Sequence, residues 1–290
     1  MIAFATLGCP GLPLPEVIEL ATASGCTGIE FRYADGEPVH PGLSAAELAA
    51  VRDRLAAAGL TALALDSYIR VAGEGDDAQV VAELRRHLAA AVAVGAPYVR
   101  VFPGGGEPSP AADERAVRRL AAVADAAADA GVGVLLETHD SHRRAEDAVR
   151  VVAAATERAG LSTSDGVPLG VIWDVLHTWL GGETPATSAA LVAPWLGYVQ
   201  VKDVPSAEDS TPVPIGEGVL PLDEVLAQLR RREYTGPVSL EWERAWHPEV
   251  APLADVLPGY VDLLRIADTA RSAQAAGGGD AEGEAAGRER

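Results

Sequence analysis

The chain of 290 residues carries a formal charge of −19 and a pI near 4.6, which disfavours a nucleic-acid backbone or an anionic membrane as its main partner. Hydrophobic residues make up 48%, enough for a large core, and no apolar run reaches the ~18 residues that a membrane span needs. Cys9 and Cys26 are too few for a disulfide scaffold, and Met1 to Leu7 lacks a basic leader, so a cytoplasmic protein is the simplest expectation.

Short runs rich in Val, Ile and Leu alternate with alanine-rich segments of helical period. Ile2 to Leu7 is the first run, followed by a Gly-Cys-Pro-Gly turn and a helix expected from about Pro15 to Ser24. Gly28 to Arg32 is the second, and Ser44 with Glu47 reads as a capping box for a helix to about Ala58. Thr61 to Leu65 is the third, with a helix from about Asp77 to Val94 after a loop through Tyr68 and Arg70. Pro97 to Phe102 leads into the loop Gly104-Gly105-Gly106, which lacks a Walker lysine, and then a helix from about Pro110 to Ala130. Gly133 to Glu137 precedes a helix ending near Ala159, and Leu169 to Asp174 precedes His177 and a short helix from about Thr187. Tyr198 to Lys202 is followed by a long loop and a helix from Pro221 to Arg231. Pro237 to Glu241 leads into a last helix from about Pro252 to Ala270.

Eight strand–helix repeats imply parallel strands with right-handed crossovers, closing into a single-domain α/β fold, a (β/α)8 TIM barrel. The barrel is expected over residues 1–270. Residues 271–290 are rich in Ala, Gly, Glu and Arg without apolar period and are expected to form a disordered tail.

In such a barrel the carboxyl ends of the strands build the active site. Those positions hold Glu30 and Arg32 on strand two, Arg100 on strand four, and Glu137 on strand five. Asp174 ends strand six, and Glu241 with Glu243 ends strand eight. Strand seven sends Gln200 and Lys202 to one face, and Lys202 is the chain's single lysine. Glu137, Asp174 and Glu241 from separate strands converge, and three close carboxylates repel unless a cation compensates them. Oxygen-rich ligation suits Mn²⁺ or Mg²⁺, with Co²⁺ or Zn²⁺ as alternatives. His139, two residues after Glu137, is within reach of the same pocket, and Arg32 or Arg70 suits a phosphate or carboxylate.

The segments Leu-Glu-Thr-His at 136–139, Trp-Asp-x-x-His at 173–177, Gln-Val-Lys-Asp at 200–203 and Leu-Glu-Trp-Glu at 240–243 carry a family resemblance. Together they resemble the xylose-isomerase-like TIM-barrel superfamily, and within it the sugar phosphate isomerase/epimerase group that includes D-tagatose 3-epimerase, hydroxypyruvate isomerase and inosose dehydratase. The resemblance implies one divalent metal on Glu137, Asp174, Gln200 and Glu241, with the two glutamates moving protons. His177 matches a substrate-contacting histidine, and Lys202, Arg32, Arg100 and His139 join it as candidate substrate contacts. The departure is Gln200, where the family has histidine; an amide oxygen is the weaker ligand for most divalent metals.

The expected activity is metal-dependent isomerisation or epimerisation of a sugar, keto-sugar or polyol through an enediolate. A dehydratase or lyase on a related polyol or keto-acid, or a non-catalytic sugar-binding barrel, are the alternatives. The expected partner is a small sugar-like substrate, not a nucleic acid or a membrane, and nothing in the sequence excludes a homo-oligomer. A phosphodiesterase of the endonuclease IV type needs more histidines than the six present and a basic surface.

Overall fold

The computed structural model describes residues 1–162 and 168–277. Its eight strands are β1 (Ile2–Ala5), β2 (Gly28–Arg32), β3 (Thr61–Arg70), β4 (Tyr98–Phe102), β5 (Gly133–Glu137), β6 (Leu169–Asp174), β7 (Leu196–Val201) and β8 (Val238–Leu240). They pair in parallel in chain order, and β8 returns to β1 to close the barrel.

The helices are α1 (Leu14–Ser24), α2 (Ala45–Ala57), α3 (Asp77–Val94), α4 (Pro110–Ala130), α5 (Ala145–Arg158), α6 (Val175–Leu180), α7 (Pro185–Val192), α8 (Leu222–Arg231) and α9 (Leu253–Gly277). Their starts follow local chemistry. Ser44 accepts from Glu47 N while the Glu47 carboxylate accepts from Ser44 N, so both halves of the capping box form. Asp76 and Ser109 cap α3 and α4 with their side chains alone, accepting from Ala78 and Gln79 N and from Ala112 N. Gly25, Gly95 and Gly131 end α1, α3 and α4 in the left-handed conformation that glycine adopts without steric cost.

Several boundaries differ from the sequence expectation. Helix α6, which carries His177, is not among the expected helices, and α7 starts at Pro185 and not near Thr187. Strand β7 runs Leu196–Val201 and β8 Val238–Leu240, and three further differences bear on the barrel mouth and the tail. Strand β1 ends at Ala5 because Thr6–Gly8 turn into a 3-10 helix. Strand β3 continues past Leu65 to Arg70, which carries Asp66 into the barrel mouth. Helix α9 runs beyond Ala270 to Gly277 through Ala-rich sequence of high helix propensity; residues 278–290 of the expected tail lie outside the described residues.

The main core lies between strands and helices, where Phe4, Phe31, Trp173, Trp242 and Tyr260 are fully or almost fully buried. Inside the barrel a smaller plug of Ala3, Leu63, Ala64, Leu135, Ile172 and Tyr198 fills the lower layers. Above it the interior turns polar: Glu30, Asp66, Arg100, Glu137, Gln200 and Ser239 are all buried. The apolar floor therefore seals one end of the barrel and leaves the carboxyl end for chemistry.

Leu135 fits this floor because its neighbours are glycines. A Cβ on Gly170 would lie 2.7 Å from the Trp195 carbonyl oxygen and 2.8 Å from Leu135 Cδ2. Gly170→Ala is expected to destabilise the fold by about 1–3 kcal/mol through overpacking, read as a lower melting temperature. An unchanged melting temperature would show that the floor is looser than these distances imply.

Candidate functional site

Asp174 begins the site's construction because it serves two elements at once. It ends β6 and caps α6: its Oδ1 accepts from Leu176 N at 2.8 Å and His177 N at 3.4 Å. Its other oxygen, Oδ2, is turned to the barrel axis, 2.9 Å from Lys202 Nζ and 3.7 Å from His177 Nε2. Thr138 supports the strand end, donating to the Asp174 carbonyl at 3.2 Å and accepting from Asp174 N at 3.0 Å.

Carboxylate oxygens of Glu137, Asp174 and Glu241 lie within 4.8 Å of one another, as the strand-end reading required. Two cations interleave them. Arg100 Nη1 sits 3.0 Å from Glu137 Oε2 and 3.6 Å from Glu241 Oε1. Lys202 Nζ contacts Glu241, reaches Glu243 Oε1 at 2.6 Å, and is only 2% exposed at its side chain. Arg100 also donates to the Ser67 carbonyl at 3.2 Å, which ties the guanidinium to β3.

The interleaving separates the two glutamates electrostatically. Burial pushes the Glu137 carboxyl up to about 8, against the opposing pull of Arg100. Burial acts on Glu241 as well, but Lys202 and then Arg100 outweigh it and hold that carboxyl below its ordinary value. Asp174 is pushed up to about 6 by burial, opposed by Lys202. Burial works against the Lys202 ammonium, yet Asp174, Glu241 and Glu243 hold its pKa well above the ordinary lysine value.

Beneath this layer lies a second carboxylate pair. Glu30 Oε1 accepts from the Tyr198 hydroxyl and from Gln200 Nε2, each at 2.6 Å. Burial and then Glu241 raise the Glu30 carboxyl, and burial and then Glu30 raise Asp66. Gln200 is thus beside Asp174 in register, with its amide nitrogen committed to Glu30 and its Oε1 buried without a hydrogen-bond partner.

His139 and His177 flank Glu137, their ring centroids 3.9 Å apart. His139 Nδ1 lies 2.9 Å from Asp140 Oδ1; burial lowers its pKa, but Asp140 and then Glu137 outweigh that and raise it. Asp140 adopts φ 44°, an uncommon backbone for a residue other than glycine, and that turn aims its carboxylate at His139. His177 is held neutral, its pKa pushed well below the usual value by burial and then by His139.

A cavity of about 180 Å³ opens above these groups, lined by Arg32, Tyr68, Arg100, Phe102, His139 and Trp246 among others. Arg32 reaches the mouth but is held there, 2.7 Å from Glu37 and from the Tyr68 hydroxyl. Of the expected residues, the structure gathers Glu137, Asp174, Glu241, Lys202, Arg100, His139 and His177 into one cluster, with Gln200 just below and Arg32 at the rim. Sequence reading missed Asp66, Tyr198 and Asp140. Asp66 was hidden because strand three looked finished at Leu65; the alternation through Asp66-Ser67-Tyr68 was the available signal.

A family model described as a xylose isomerase-like TIM barrel matches residues 18–260. The chain belongs to this family. Among solved structures, an L-ribulose 3-epimerase is similar at 17% identity and a TM-score of 0.76, covering 99% of this chain and 99% of that one. A zinc-bound IolI protein is similar at 18% identity and a TM-score of 0.74, covering 90% and 96%. A probable 3-DHS dehydratase, AsbF from Bacillus anthracis, is similar at 18% identity and a TM-score of 0.72, covering 91% and 98%. Comparison with curated proteins gave no match. In this xylose isomerase-like barrel the residues fit a divalent cation. Six carboxylates (Glu30, Asp66, Glu137, Asp174, Glu241, Glu243) outnumber Lys202 and Arg100, and buried Glu137 Oε1 has no hydrogen-bond partner.

Asp203, next to the lysine in sequence, ties down the β7–α8 loop. Its carboxylate accepts from the backbone nitrogens of Val204 at 3.0 Å, Gly216 at 2.9 Å, Gly218 at 3.0 Å and Leu220 at 3.1 Å. Asp203→Ala strands these donors, and the variant is expected to lose at least about 2 kcal/mol of stability in urea unfolding. A loss well under that would mean that water or a rearranged loop replaces the carboxylate.

The raised carboxyls give the metal-free protein a pH signature. Folded Glu137 and Asp174 keep protons that the unfolded chain releases near 4.5 and 3.8, so their contribution to folding stability falls as pH rises from those ordinary values through about 6 and on to about 8, then levels, with His177 opposing it only below its own ordinary value. Glu241, held low, contributes the opposite sign only below its ordinary value. Melting of chelator-treated protein from pH 5 to 9 checks this; a melting temperature that climbs across that range would contradict it.

Proposed function

We propose that the chain is a metal-dependent isomerase or epimerase of a sugar, keto-sugar or polyol derivative, working by proton transfer through an enediolate. The observation that carries this reading is the pair Glu137 and Glu241, two carboxyls in one small space with their proton affinities driven apart. Similar solved structures, an L-ribulose 3-epimerase among them, agree with chemistry of this class.

Glu137, Asp174 and Glu241 would hold the cation, with the free amide oxygen of Gln200 as a further donor; Mn²⁺ or Mg²⁺ suits the oxygens, Co²⁺ or Zn²⁺ the nearby nitrogens. When bound, such a cation supplies Lewis-acid polarisation of a carbonyl and the neighbouring hydroxyl. Ionised Glu241 removes the proton from the carbon beside that carbonyl. Protonated Glu137 delivers a proton to the opposite face or to the adjacent carbon, giving epimer or isomer. Lys202, kept cationic by its carboxylate neighbours, holds Glu241 ionised beside the reacting carbon. Arg100 holds both glutamates in place through the exchange. Phe102 and Tyr68 keep the cavity partly apolar, which strengthens these interactions by excluding water.

One observation favours a second reading, dehydration of a polyol or keto-acid. His139, its proton affinity raised by Asp140 and Glu137, is placed to give a proton to a departing β-hydroxyl when it is protonated.

The test is incubation of the metal-loaded protein with keto-sugars and polyol derivatives, phosphorylated and not, in D₂O. Deuterium is expected at the exchanging carbon by NMR, and Glu241→Gln should lower the exchange rate by about 10²–10⁴-fold while leaving the fold intact. Loss of water to an unsaturated product would select the dehydratase reading. Metal binding without exchange or dehydration of any substrate would leave a binding barrel instead.

A further inference from the structure

We infer that Trp246, Tyr68 and Arg32 form an outer subsite at the barrel mouth that takes a second sugar ring, so that the substrate is a keto-sugar joined to another sugar rather than a free monosaccharide. The inference rests on the isomerase or epimerase reading above and adds the part of the substrate that the reacting carboxylates do not touch.

The chain after β8 carries Trp246 to the rim in one turn. Glu241 and Glu243 both meet Lys202 in the reacting layer, Glu243 at 2.6 Å. The Glu243 carbonyl then accepts from Trp246 N at 3.0 Å and His247 N at 3.1 Å, while Ala245 N donates to the Leu7 carbonyl at 3.1 Å. Trp173 and Trp242 are buried, but Trp246 is 53% exposed and Tyr68 is 41% exposed. Large aromatic side chains left in water beside a cavity forgo burial that a ligand ring restores.

The two rings are fixed in advance by a cation. Arg32 Cζ lies 5.0 Å from the Trp246 ring centroid and 5.6 Å from that of Tyr68. Arg32 donates through Nε to the Tyr68 hydroxyl and through Nη1 to Glu37 Oε1, each at 2.7 Å. Glu37 is itself held, its Oε2 accepting from Gly11 N at 3.3 Å. Elements β2 and β3 and the turn after β8 therefore present one preorganised surface. Glu37 already balances the Arg32 charge, so this surface suits a neutral ring over a phosphate. A sugar would lay its C–H face on the indole and offer hydroxyls to Arg32 Nη2.

The cavity supplies the continuity. It runs from Glu241 and Glu243 to Trp246, Tyr68 and Arg32 and holds about 180 Å³. That is below the roughly 300–1,000 Å³ of usual ligand pockets. One sugar unit fills it, and a ring bonded to that unit has to leave through the mouth where these three side chains stand.

The experiment measures binding of D-fructose, maltulose and isomaltulose to the Mn²⁺-loaded full chain by calorimetry; the two disaccharides attach glucose to the same keto-sugar. Wild type is compared with Trp246→Ala and Trp246→Phe. The wild type is expected to bind at least one disaccharide about ten-fold more tightly than fructose, which is about 1.4 kcal/mol. Trp246→Ala should bring that ratio to about one, and Trp246→Phe, which keeps a ring, should retain most of it. Should Trp246→Ala fail to fold, the tryptophan emission decides: a blue shift on adding disaccharide but not fructose, absent from Trp246→Phe, reports the same contact. Equal affinity for all three sugars, or a disaccharide preference that survives in Trp246→Ala, would overturn the subsite. Exchange of the fructose C–H into D₂O would leave the isomerase reading standing in that case. The expected ratio without any exchange would support the subsite in a sugar-binding barrel, and no sugar bound by the wild type would remove both readings.

Discussion

Charge compensation inside the barrel mouth is the constraint on which the rest depends. An ionised carboxylate taken out of water costs several kcal/mol even after relaxation, and this barrel buries Glu30, Asp66, Glu137, Asp174 and Glu241 in adjoining layers. Arg100 and Lys202 are inserted between them, each touching more than one acid. The compensation is incomplete, so protons remain on the acids that the cations serve least. The result is a gradient of proton affinity across a few ångströms, from Glu137 down to Glu241. Proton transfer between two carboxyls needs such a gradient, and here the gradient follows from where the two cations stand.

The fold keeps that expensive layer workable by assigning rigidity elsewhere. Leu135 and its glycine neighbours close the floor, so solvent reaches the acids from one side alone. The loops above are fastened by single buried side chains. Asp203 gathers four backbone donors of the β7–α8 loop. Arg119, fully buried on α4, gathers carbonyls of the β3–α3 loop, including Val71 at 2.9 Å, Gly73 at 2.7 Å and Gly75 at 2.8 Å. A charged group whose hydrogen bonds go mostly to backbone, as here apart from the Arg119–Asp77 ion pair, fixes the path of a loop with little dependence on the loop's own side chains.

The barrel and most of its site were legible in the sequence because both follow from period and position. Alternating Val/Ile/Leu runs and alanine-rich helices repeat eight times, and acids at the strand ends must face the same mouth. Glu137, Asp174, Glu241 and Lys202 could be placed together on that ground. What could not be read was which acid each cation would choose, since that depends on side-chain length and on angles across the barrel. Gln200 illustrates the limit. Its strand face was correct, but its amide nitrogen goes to Glu30, which is distant in sequence and lies one layer deeper. Asp140 was illegible for another reason: its role comes from a backbone conformation that sequence rarely forces on an aspartate. Asp203 was visible as part of Lys-Asp, but its four donors come from a long loop without periodic signal.

The use of arginine for every other basic side chain gives Lys202 a chemical consequence. The chain's one ε-amine is almost completely buried and held as an ammonium by three carboxylates. Acylation, methylation and imine formation all need a free amine lone pair and an approach path, and Lys202 offers neither. The exterior therefore presents no side-chain amine to modifying enzymes or to reactive aldehydes such as open-chain sugars. Among side chains, that leaves no surface amine for adventitious glycation, while the one lysine is held in ion pairs inside the barrel.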